Sequence, residues 1–263
     1  MKRTINFQKK IALFGIISTA CLFIPGTSLA LSTNISTKTA TSAQTSPFCT
    51  NLPTYTAAIN TKLSSLEGKV TQAWTQQDQK LLADAQQVDQ KVAAERQVAD
   101  TQRASDLSKL EAKATTSSEK AAVQTYEVSV NNAVSVRRSA YDVARQTFRT
   151  DLTADISSRH STVSSQMSTF QGSVNSTIST AQSSCSNSPS QGTSTRTTFV
   201  SDLKSARLTF TSERSGDNTV TQQVQQLAAT RDAAFKTADQ TFQASMQSAQ
   251  KTLEQAFGKN SSI

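Results

Sequence analysis

Acidic residues recur every eleven positions at Glu67, Asp78, Asp89, Asp100 and Glu111. Lysines keep the same interval at Lys69, Lys80, Lys91 and Lys113, with Gln102 the one interruption. Between them runs a stripe that advances by 4, 4 and 3: Tyr55, Ile59, Leu63, Leu66, Val70, Trp74, Gln77, Leu81, Ala85, Val88, Val92, Arg96, Ala99, Arg103, Leu107, Leu110. Eleven residues in three turns is 3.67 per turn, close to the 3.6 of a straight α-helix. Helices with this period pack side by side with little supercoil, slightly right-handed. No sheet has such a period, so the chain is read as all-α.

Composition agrees. Only 7 glycines and 4 prolines are present among 263 residues, too few for the turns of a β-sandwich or barrel. Phosphate-cradling glycine loops are equally hard to build. A capping box, Thr116-Ser117-Ser118-Glu119, starts a second helix. Its stripe reads Tyr126, Val130, Val134, Arg137, Tyr141, Arg145, Phe148, Leu152, Ile156, Arg159, Val163, Met167, Phe170, Val174, Ile178, Ala181, Cys185. Folding the two stripes together with paired numbers summing to 233 sets Leu81 on Leu152 and Val70 on Val163. The same register sets Arg96 against Arg137 and stacks Arg159 on Trp74. A third helical stretch carries Phe199, Leu203, Ala206 and Phe210, then Val224, Leu227, Phe235, Ala238, Phe242, Met246, Ala249, Leu253 and Phe257.

The expected organisation is a signal peptide over 1–30, a disordered Ser/Thr-rich leader over 31–52, and a long antiparallel helical hairpin over 53–185. A loop over 186–194, a helix or helical pair over 195–257 and a tail over 258–263 complete it. The third helix is either continuous or split near Gly216, where Ser215-Gly216-Asp217-Asn218 combines a helix stop with capping residues. With helices of about equal length, the chain reads as an elongated three-helix, coiled-coil-like rod.

Residues 1–30 have the parts of an export signal. Lys2, Arg3, Lys9 and Lys10 precede the apolar run Ile11–Ile24, then Pro25-Gly26 and a small-x-small site at Ser28-Leu29-Ala30. Those residues hold four bases and no acid, so the remainder has 23 bases against 19 acids, net +4. That is weak charge for nucleic-acid binding, and no basic run is present. Cleavage leaves Cys49 and Cys185. Their numbers sum to 234, which places them at one level of the hairpin. An exported chain meets conditions where disulfides form, so a Cys49–Cys185 bridge is expected. It would hold a stretch in which 16 of the 30 residues from Ser157 to Ser186 are Ser or Thr, poor helix formers relative to alanine.

The sequence names no catalytic, cofactor-binding or metal-binding residue. The single histidine, His160, reads as a solvated surface residue, and the acids as an exposed helix face. Gln77, Arg96, Arg103, Arg137, Arg145 and Arg159 interrupt the inward stripes and mark either loose packing or a second partner. Asn34, Asn175 and Asn260 lie in N-x-S/T sequons. These features point to an exported, non-enzymatic helical rod acting as a structural or interaction protein, secreted or at the cell surface. Its partner would be a protein or cell-envelope component rather than nucleic acid, with membrane contact only through an uncleaved signal segment. Two alternatives are an amphipathic lipid- or surface-binding protein and an extracytoplasmic chaperone with helical arms.

Overall fold

The structure is a computed structural model that describes residues 46–215 and 219–258. The expected signal segment, most of the expected leader, residues 216–218 and the expected tail from 259 onward lie outside the described residues. Among those described, the protein is all-α: four long helices, one 3-10 turn and no strand. Helix α1 is Pro47–Lys113, α2 is Ser117–Asn187, α3 is Gly192–Ser215 and α4 is Thr219–Phe257, with the 3-10 turn at Pro189–Gln191. None is long and apolar enough to cross a membrane.

The boundaries differ from the sequence expectation in two places. First, α1 begins at Pro47 rather than Pro53, so 47–52 belongs to the helix and not to a leader. Ser46 accepts a hydrogen bond from the Phe48 amide at 3.3 Å. With Pro47 next, this is a cap followed by proline at the first helical position. Phe48 and Leu52 are then buried. Second, the 186–194 loop contracts to one 3-10 turn, because the Gln191 amide reaches the Ser188 carbonyl at 3.0 Å. Helix α3 therefore starts at Gly192 rather than at 195. The last helical stretch is two elements, α3 ending at Ser215 and α4 starting at Thr219, which is one of the two arrangements expected from the sequence.

The capping box is present as reciprocal bonds. The Glu119 amide donates to Thr116 Oγ1 at 3.1 Å, and the Thr116 amide donates to Glu119 Oε2 at 2.9 Å. The Thr116 and Thr115 amides hold the Glu119 carboxyl below its usual range. At the other end of the chain, Gly258 adopts φ 76° directly after α4, the left-handed stop that glycine takes without strain.

The described residues form two compact units, and α1 and α2 contribute to both. Unit 1 takes the described part of Met1–Gln77 with Ile156–Thr221; unit 2 takes Asp78–Asp155 with the described part of Gln222–Ile263. The core of unit 1 gathers Phe48, Leu52, Ile59 and Val70 from α1, Val163, Met167, Phe170, Val174, Ile178 and Ala181 from α2, and Phe199 and Phe210 from α3. In its Ser/Thr-rich α2 stretch the hydroxyls are satisfied within the helix by bonding back one turn. Thr162, Thr169, Ser173 and Thr177 each donate to the carbonyl four residues earlier, at 3.0–3.1 Å. That bond is what lets Thr177 sit buried.

In unit 2, a smaller cluster of Ala114, Val123 and Leu253 is joined by Leu110, Tyr126 and Phe257. Elsewhere aromatic rings supply the packing, with Tyr141 stacked on Phe235 at 4.2 Å between centroids. In each unit, partners on α2 fall in number as those on α1 rise. Cys49 meets Cys185 and Trp74 meets His160 in unit 1. In unit 2, Asp89 meets Arg149 and Asp100 meets Arg138.

Gly192 is a glycine for a steric reason. A Cβ there would lie 1.9 Å from Ser46 Oγ and 2.1 Å from Ser46 Cβ. Gly192→Ala therefore pushes α3 away from the start of α1 and is expected to cost about 1–3 kcal/mol, read as a lower urea midpoint. A stability equal to that of the parent would show that the approach is not tight in solution.

Candidate functional site

The two residues singled out by the sequence, Cys49 and Cys185, are brought together. Their sulfurs are 1.98 Å apart and their Cα atoms 5.4 Å apart. Around them three helical ends converge. The Ser46 amide donates to the Pro189 carbonyl at 3.0 Å. Phe48 packs on Phe199 with centroids 5.6 Å apart, and on Tyr55 at 6.0 Å. Both cysteines remain half-buried, whereas Phe48, Leu52 and Phe199 are buried.

His160 is not a solvated surface residue. It is half-buried and stacked on Trp74, with ring centroids 4.3 Å apart and planes 21° apart. Arg159 is next to it in sequence. Burial holds the guanidinium of Arg159 below its ordinary range, with repulsion from Arg214 adding to the effect. Burial lowers Arg214 as well, and its guanidinium lies over the Phe210 ring at 5.7 Å. Emission from Trp74, the only tryptophan, is expected to change in His160→Gln, which removes the ring stacked on the indole. Equal emission from the two proteins would contradict the stack.

In unit 2 the inward arginines are ion-paired, and Arg96 meets Asp142 rather than facing Arg137. In unit 2, Arg96 makes a two-pronged contact with Asp142, at 2.9 and 2.8 Å, and Arg145 reaches the same carboxylate. Arg103 bonds Asp100 at 2.7 Å and Asn131 at 3.0 Å. Arg137 donates to Asp239 at 2.6 Å, and its guanidinium lies over the Tyr141 and Phe242 rings. The Tyr141 hydroxyl donates to the other oxygen of Asp239 at 2.9 Å. Asp239 is buried, so the acids do not all lie on an exposed face.

Two further pairs escaped the sequence reading. Arg149 grips Asp89 with two bonds of 2.7 Å and also donates to the Ala85 carbonyl. Arg138 grips Asp100 at 2.9 and 2.6 Å and also donates to the Arg96 carbonyl. Asp89 and Asp100 are eleven apart, as are Arg138 and Arg149, and both pairs of numbers sum to 238. Tracking the acidic series across to its opposite helix would have found them.

The bond from Arg138, assisted by Arg103, lowers the Asp100 carboxyl to about 2. Asp142 is lowered chiefly by Arg96, and Asp89 chiefly by Arg149. A carboxylate depressed in the folded state adds stability that is fully present above its unfolded value, 3.8. That stability is lost as pH falls toward 2. Because these carboxylates are 42–54 % exposed, each contribution is small. Unit 2 is expected to lose protection between about pH 4 and 2, and Arg138→Gln to flatten that loss. An acid profile unchanged by Arg138→Gln would exclude the pair as its source.

Two grooves are found among the described residues. In unit 1, one of about 270 Å³ is lined by Gln166, Phe170, Asp202, Thr209 and Glu213. In unit 2, one of about 510 Å³ is lined by Tyr126, Ser129, Ala133, Phe242 and Ser245. Among the described residues, no three His, Cys, Asp or Glu side chains are grouped to hold a metal. What the arrangement visibly does is join helix to helix, covalently at one level of unit 1 and through guanidinium–carboxylate pairs in unit 2. Comparison with protein-family models, with curated proteins and with solved structures returns no match.

Proposed function

We propose that the protein is an exported, non-enzymatic helical rod that acts outside the cytoplasm as a structural or interaction protein, with a protein or envelope component as its partner. The observation that carries this reading is the Cys49–Cys185 pair at bonding distance. Such bonds persist in oxidising compartments, and the residues ahead of the pair have the order of an export signal.

The rod itself is an antiparallel hairpin of α1 and α2 built on the eleven-residue repeat, with the later helices beside it. Three facts support it. All α2 stripe residues are buried or half-buried, and on α1 only Ala99 is exposed. The same Asp–Arg geometry recurs at an eleven-residue interval on both helices. Helix α1 runs for 67 residues, about 100 Å at 1.5 Å per residue. A structural role uses such a framework directly, since the Asp–Arg pairs of unit 2 join one helix to another.

Export is tested by expressing the full chain in its own host and sequencing the N-terminus of the product recovered outside the cytoplasm. The expected start is Leu31, with the Cys49–Cys185 pair oxidised. A product retained inside the cell and beginning at Met1 would overturn the reading.

A further inference from the structure

We propose that the Cys49–Cys185 bond is a redox-sensitive latch: its reduction locally opens the part of unit 1 where α1 begins, α2 ends and α3 begins, and uncovers the apolar cluster of Phe48, Leu52 and Phe199. The inference does not depend on where the protein goes in the cell.

Four observations converge on it. The bond closes a covalent loop across 136 residues of chain, so breaking it releases a long chain constraint. The other links at this level are noncovalent, in a cluster that includes Phe48, Leu52, Ile178, Ala181 and Phe199. The Ser46–Pro189 hydrogen bond is one, and the packing of Phe48 on Phe199 is another. The helices here are also weak in their own right. Pro53 lies inside α1 and denies the Cys49 carbonyl its helical donor, while the end of α2 is Ser/Thr-rich. Meanwhile both cysteines are half-buried rather than sealed, so a reductant can reach the sulfurs. Farther along unit 1, Val70, Val163 and Met167 are buried in the shared core and need no covalent link to stay there.

The chemistry is thiol–disulfide exchange. One thiolate of a small dithiol attacks either cysteine sulfur, and the Cys49–Cys185 bond breaks to leave a mixed disulfide and one cysteine thiolate. The second thiol of the reagent then displaces the other cysteine. Both cysteines end as protonated thiols, and the reagent leaves as its cyclic disulfide, having given up two electrons. With the bond gone, the three helical ends separate, and Phe48, Leu52 and Phe199 face water.

The test is hydrogen exchange read peptide by peptide on the full chain carrying Cys21→Ser, so that only this pair reacts. Samples are oxidised, or reduced with dithiothreitol, alongside the Cys49→Ser/Cys185→Ser double variant. Reduction is expected to speed exchange at least about tenfold over residues 48–60, 178–187 and 193–203. Peptides covering 163–170, and those of unit 2 at 126–148, should stay within about twofold. The double variant should match the reduced protein; if it does not fold, the oxidised and reduced samples decide alone. Unchanged exchange everywhere would overturn the latch. So would an equal rise throughout the chain, which would make the bond a staple for the whole fold.

Discussion

Phe199→Ala is expected to destabilise unit 1 by about 3–5 kcal/mol, the cost of deleting a fully buried aromatic ring. Phe199 is 2 % exposed and among the largest side chains so completely covered. It reaches from α3 to the Phe48 ring of α1, so the cavity would open where two helices meet and could not close by a shift of one side chain. Phe199→Leu keeps most of the volume and is expected to cost less than half as much, about 1–1.5 kcal/mol. Urea unfolding followed by circular dichroism gives both values. A Phe199→Ala midpoint equal to that of the parent would mean that α3 does not pack on α1 as described.

Asp239→Ala should have the largest effect in unit 2, about 2–3 kcal/mol. Removing one partner of a buried ion pair costs about 3–5 kcal/mol when the other is left fully buried. Here the Arg137 side chain is 31 % exposed against 11 % for Asp239, so solvent recovers part of that loss. Two donors lose their acceptor at once, Arg137 Nε and the Tyr141 hydroxyl. Asp239→Asn keeps acceptor oxygen at the site and should fall between the parent and Asp239→Ala. An alanine variant as stable as the parent would show that the pair is solvated and idle.

These two residues mark how far the sequence could be read. Phe199 was legible, because it opens an apolar stripe at helical spacing and the structure buries it. Asp239 was not. It follows Ala238, the inward residue of its turn, and hydropathy alone places an aspartate in water. What brings it inside is Arg137 on a helix about a hundred residues away in sequence, and no local pattern encodes that distance.

The helix starts followed the same logic. Thr116 and Glu119 announce a cap by their spacing, and their bonds are local. Ser46-Pro47 is an equally local signal, hidden by a Ser/Thr-rich composition that reads as unstructured until Phe48 and Leu52 find a core. The register was approximate for a geometric reason. Summing to 233 aligns stripe with stripe, whereas arginine reaches along its partner helix, so Asp89–Arg149 and Asp100–Arg138 sum to 238. The disulfide at 234 lies closer because cysteine has no such reach.

The proposed function rests on α1 and α2 forming an extended antiparallel hairpin within a rod. Small-angle X-ray scattering on Leu31–Ile263 tests it most directly. A rod as long as α1, about 100 Å, has a radius of gyration near 29 Å or above, and its scattering keeps a rod-like cross-section. A compact chain of this size would give about 18 Å. A value close to 29 Å with a maximum dimension of about 100 Å or more is the predicted result. A value near 18 Å with a maximum of about 50–60 Å would mean that the helices fold back on themselves, and the rod would be contradicted.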